Sequence, residues 1–109
     1  MASFRVGPLP EGTLEAAAEF YARVLPEIRA ELDLENPPRD GEDLVLVFAP
    51  APQDHRGWRL AAVQDLAREA APRRVNAIAG ANEAAIAESL AWLEQAPGVT
   101  GQLLAVDPI

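Results

Sequence analysis

The stretch Gln53-Asp54-His55-Arg56 carries the only histidine of the chain, between an acid and a base, just beyond an apolar run. An imidazole beside a guanidinium can hold an anion or a polar small molecule. With Asn76 and Gly80, which belong to a second apolar run, Gln53, His55 and Arg56 form a candidate pocket. The more economical account is an exposed polar turn in which Asp54 caps a helix. Asn76 lies within an apolar strand pattern and needs hydrogen-bond partners in any case. Other chemistry is thinner. Glu19, Arg23 and Glu27 are spaced for i,i+4 pairing on a solvated helix face, and a paired-carboxylate acid/base site there rests on spacing alone. There is no cysteine, so disulfides, thiol nucleophiles and cysteine-held metals are excluded, and a single histidine excludes a multi-histidine metal site within one subunit. Trp58 and Trp92 could line a pocket, but aromatic residues at helix positions more commonly pack.

These residues must be positioned by a regular framework, and the hydropathy pattern supplies one. Residues 66–80 read as a helix end, a stop at Pro72, two arginines, and the short apolar strand Val75–Ala79 closed by Gly80. A helix end, a tight connection and an apolar strand make half of a βαβ unit. Upstream, Phe4 and Val6 precede four helix or strand breakers between residues 7 and 12, so residues 1–12 are expected to be a tail. Thr13 suits an N-cap for a long amphipathic helix over 14–34, with Pro26 predicting a kink or a break in its hydrogen-bond ladder. Residues 44–48, LVLVF, lack alternation, which fits a strand buried on both faces. A second helix is expected over 57–71, a third capped by Asn82 and ending near Pro97-Gly98, and a last strand over 102–106. Helix, strand, helix, strand, helix, strand predicts one α/β domain over 13–109, a parallel sheet of about three strands with right-handed crossovers.

Composition narrows the function classes. The chain has 109 residues, half of them apolar, and a net charge of −8, with no lysine among its nine basic residues. That charge argues against nucleic acid and anionic membranes as partners, because phosphate affinity needs clustered cations. No apolar run reaches membrane-span length and no secretory signal is visible, so a cytoplasmic location is expected. Three helices are few to cover both sheet faces. A second copy of the chain is therefore expected to complete the burial, through the helices 14–34 and 57–71.

Residues 67–80, AREAAPRRVNAIAG, and 99–109, VTGQLLAVDPI, resemble motifs of the short-chain dehydrogenase/reductase family. ESLAWL before the last strand, DLVLVFAP, and the helix with Val24-Leu25-Pro26 fit the same family in the same order. The resemblance covers about residues 13–107. It implies a truncated Rossmann-like fold matching only the C-terminal half of the family. It also implies that Asn76 is mainly structural.

The departures bear on activity. The family's glycine-rich phosphate turn is missing, since glycines 7, 12, 41, 57, 80, 98 and 101 contain no such spacing. Without it the backbone cannot approach a pyrophosphate at a helix N-terminus, so no NAD(P) cofactor is expected. The family's Tyr-x-x-x-Lys pair falls on Pro52 and Arg56, and its catalytic serine falls on alanine or proline. An arginine cannot relay a proton at neutral pH, so no catalytic residue is assigned and dehydrogenase chemistry by the family's mechanism is excluded. Two functions remain. One is a non-catalytic protein that associates with itself or with a full-length family member. The other is a small-molecule or nucleotide-binding module, or a divergent oxidoreductase, using a strand-end pocket near His55 and Asn76. The first predicts an exposed apolar stripe on the two long helices. The second predicts a concave pocket with His55 turned inward.

Overall fold

The computed structural model describes residues 1–36 and 41–106. Four parallel strands form one sheet in chain order: β1 (Ala2–Arg5), β2 (Leu44–Phe48), β3 (Val75–Ala79) and β4 (Leu103–Ala105). The sheet thus has four strands where about three were expected. The added one is β1, in the segment expected to be a tail. It pairs Ala2 with Leu44 through Arg5 with Val47. Ala2, Phe4 and Val6 turn into the core while Ser3 and Arg5 face out. β2 and β3 are buried along nearly their whole length, as unbroken apolar runs inside a parallel sheet should be.

The first helical rod, 13–32, has three parts: α1 (Thr13–Glu19), a π turn (Phe20–Val24) and α2 (Leu25–Leu32). Pro26 has no N–H to give, and the ladder re-registers just before it, where the Leu25 N–H bonds Phe20 O five residues back. The expected break is therefore a π turn. Gly12 occupies the N-cap and Thr13 is the first helical residue, with no side-chain cap. The rod stops at Asp33, whose left-handed backbone (φ 47°) ends the helix. Residues 37–40 and 107–109 of the domain expected over 13–109 lie outside the described residues. A 3-10 turn (Gln53–His55) leads into α3 (Arg56–Ala70), and α4 (Glu83–Glu94) is capped by Asn82, whose Oδ1 accepts from Ala85 N at 2.8 Å. The capping role expected of Asp54 is not taken up, because the turn and α3 begin without a side-chain cap.

Two cores flank the sheet. On one face α2 and α3 pack Ile28, Leu32, Val63 and Leu66 against Leu44, Leu46, Phe48, Val75 and Ala77. On the other, α4 sets Ile86 and Leu93 against Val45, Val47 and Ile78. Every crossover steps one strand in the same direction, yet the third places its helix on the opposite face. Reversing the face reverses the hand, so β3–α4–β4 has the opposite hand to the other two, and uniformly right-handed crossovers do not hold. The connection after α4 is fastened from β3. Asn76 Nδ2 donates to Val99 O (3.0 Å) and its Oδ1 accepts from Gln102 N (3.0 Å).

Candidate functional site

Parallel strands end together, and the rim beyond their carboxyl ends is where open α/β sheets leave room for ligands. Here the rim holds a cleft of about 430 Å³ past the ends of β1 and β2. Val6, Gly7 and Leu9 line one side, Phe48 to Pro52 another, and His55 and Arg59 the floor towards α3. The size suits a small organic ligand. β1 makes this possible: as a strand it brings the following loop, Gly7 to Glu11, against the β2 end.

His55 is 4% exposed and both ring nitrogens are engaged. Trp58 Nε1–H donates to Nδ1 at 3.2 Å, and Nε2 lies 2.9 Å from Glu11 O. A carbonyl only accepts, so Nε2 carries the proton and donates to Glu11, which fixes the tautomer. His55 therefore pins the β1–α1 loop to α3 and shapes the cleft wall.

The buried charge in the cleft is Arg59, and sequence reasoning missed it. Arg59 is 7% exposed, and no carboxylate among the described residues pairs with it. Nη1 donates to Ala49 O (2.9 Å), while Nε is buried without a hydrogen bond. The guanidinium carbon sits 4.6 Å from the centre of the Phe48 ring and 5.8 Å from that of Trp58. Ring quadrupoles offset part of the lost hydration, but no anion does. Burial pushes the guanidinium below its ordinary pKa. The signal was present in the spacing: positions 59, 63, 66 and 70 form one helical stripe, and an arginine heads its otherwise apolar residues.

The other sequence candidates separate. Arg56 is exposed and spans to β4, where Nη1 and Nη2 each lie 3.4 Å from Leu103 O. With His55 and Arg59 it lines a smaller pocket of about 60 Å³ behind the cleft. Asn76 is buried on the α4 side of the sheet and its amide is spent on the connection into β4. Gly80 donates its N–H to Phe48 O (3.0 Å) and lines, with Arg5 and Val47, a shallow depression that adjoins the cleft across Val6, Phe48, Ala49 and Pro50. The geometry thus joins His55 and Arg56, sets Gly80 in a depression beside the cleft, and leaves Asn76 apart.

A parallel sheet with helices on both faces and a cleft at its carboxyl rim defines a small Rossmann-like protein. The profile of short chain dehydrogenase-like proteins matches residues 4–106, and the chain belongs to that family. No curated protein and no solved structure matches it. The match begins within β1, the strand that the sequence resemblance had left out. Among the described residues no helix is long and apolar enough to cross a membrane.

Proposed function

We propose that this short chain dehydrogenase-like protein binds a small molecule in the cleft beyond β1 and β2 without performing the family's dehydrogenase reaction. The observation that carries this reading is the inward His55, hydrogen-bonded on both nitrogens in the wall of a 430 Å³ cleft. Against hydride chemistry stand the proline and arginine at the positions the family gives to tyrosine and lysine. Arg56 is moreover turned to the Leu103 carbonyl. No NAD(P) is assigned, because the chain has no glycine-rich phosphate turn. The test is a fragment screen by amide NMR on the labelled protein. Fragments should shift Gly7, Ala51 and His55 together, and Ala51→Trp, which fills the cleft from an exposed position, should abolish those shifts with the fold intact. Fragments that shift no cleft amide sink the reading.

A second reading, association with another copy or a longer family member, is favoured by the first rod. Leu14 is 81% exposed, and Tyr21, seven residues on, is 42% exposed. Tyr21 and Leu25 also line a groove of about 390 Å³ against Ala62 and Leu66 of α3. Light scattering during size-exclusion chromatography should give a stable dimer or tetramer that Leu14→Glu with Tyr21→Glu dissolves. A wild-type monomer at every concentration removes self-association from this reading.

A further inference from the structure

Resting on the proposed cleft, we infer that its ligand is a small organic carboxylate with an apolar body, held by Arg59. A guanidinium has five N–H donors, and among the described residues this one has a single acceptor, the uncharged Ala49 carbonyl. It is more than nine-tenths buried, lines the cleft, and has a buried Nε with no partner among the described residues. An uncompensated buried cation is costly, and it persists where an anion completes it. A carboxylate matches the guanidinium fork with charge-assisted bonds. The rest of the lining sets the body of the ligand: Val6, Leu9, Phe48 and Pro50 offer apolar contact and little to bond a sugar or a nucleotide base. Glu11 is the one acid on the lining; its side chain is exposed and pairs with no cation among the described residues. At the mouth it disfavours a second carboxylate, so a monocarboxylate fits better than a diacid.

The experiment titrates butyrate, hexanoate, octanoate, benzoate and phenylacetate, each beside its neutral amide, into the full chain, followed by amide NMR at Gly7, Ala51 and His55. At least one acid should bind tighter than its amide by about tenfold or more, the discrimination expected of a buried charge-assisted pair. Arg59→Met should erase that difference. Glu11→Gln should narrow the gap between hexanoate and its dicarboxylate analogue adipate. The acid–amide comparison is made on the wild-type protein, so it holds even if Arg59→Met fails to fold. Acids and amides binding equally in the cleft overturn the carboxylate assignment and leave the cleft standing. Shifts confined to residues away from the cleft, or none from any probe, overturn both.

Discussion

Arg74 shows how one side chain can hold three segments. Its Nε donates to Asp43 Oδ2 at 2.8 Å and its backbone N–H to Asp43 Oδ1 at 2.7 Å. Its Nη1 reaches Leu93 O (3.0 Å), Ala96 O (2.6 Å) and Val99 O (3.4 Å), which lie in the last turn of α4 and in the connection beyond it. The Arg74 side chain is mostly buried, so removing it leaves the Asp43 carboxylate without its cationic partner and unties the connection after α4 from the start of β3. Arg74→Met should therefore cost about 3 kcal/mol, whereas Arg73→Ala, whose side chain bonds nothing among the described residues, should stay within about 0.5 kcal/mol. Urea denaturation of the two variants measures both. Two adjacent arginines are indistinguishable as sequence, because the choice between them is made by strand phase and by where α4 ends. Arg59 was hidden for a related reason: an arginine is read as solvated until its place on a buried stripe is counted. His55, in contrast, was a candidate because a polar helix start after an apolar strand sits at the rim, but the more economical reading of an exposed turn does not hold for it, since its ring is buried.

At the level of elements, what could be read followed from strong local signals. β2 and β3 have unbroken apolar runs between breakers, and Asn82 precedes a helical pattern at capping distance. Asn82→Ala should cost about 1 kcal/mol through loss of the bond to Ala85 N, measured by thermal or urea unfolding. β1 could not be read so easily. Only Ala2, Phe4 and Val6 face the core, and the breakers that follow looked like the mark of a tail although they build the cleft loop. β1 is tied to α4 by a two-pronged pair, Arg5 Nη1 and Nη2 to the Glu83 carboxylate at 2.9 and 2.8 Å. The hydrogen bonds and charge of Arg5 hold Glu83 below its ordinary pKa, and Arg5 is raised by the same pair. A depressed carboxylate contributes stability in full above its unfolded pKa and loses it as pH falls through the folded value. The small stability gap between wild type and Glu83→Gln should accordingly be constant at neutral pH and close in acid below the ordinary glutamate range. A gap that widened on acidification would contradict the pair. Both groups are exposed, so the gap itself is expected to be modest.

Across the whole molecule the two sheet faces are unequal, and periodicity could not foretell this, because an amphipathic helix records that one side is buried and not which face of the sheet buries it. α3 buries Arg59, Ala62, Val63, Leu66, Ala67 and Ala70, while α4 buries only Ile86 and Leu93. α4 also belongs to the crossover of opposite hand, which the usual strand-twist preference does not favour. Its closure depends on polar fasteners: the Asn76 amide, Arg74, and the turn at Gly101, whose backbone (φ 71°) is one that L side chains rarely adopt and whose N–H donates to Val75 O at 2.8 Å. Segments with few buried apolar contacts open at lower free energy than the global core. Residues 83–106 should thus exchange amide hydrogens as one unit, faster than α3 and β2. Asn76→Ala takes the acceptor from Gln102 N and leaves Val99 O only the long contact from Arg74, and it should lower the opening free energy of that unit by about 2 kcal/mol. α3 should be affected only where its exchange requires global unfolding. Hydrogen exchange read by mass spectrometry on peptides from α3 and α4 decides this. Equal protection of the two helices, or an Asn76→Ala effect shared equally by both, would mean that the sheet and all its crossovers open as a single cooperative body.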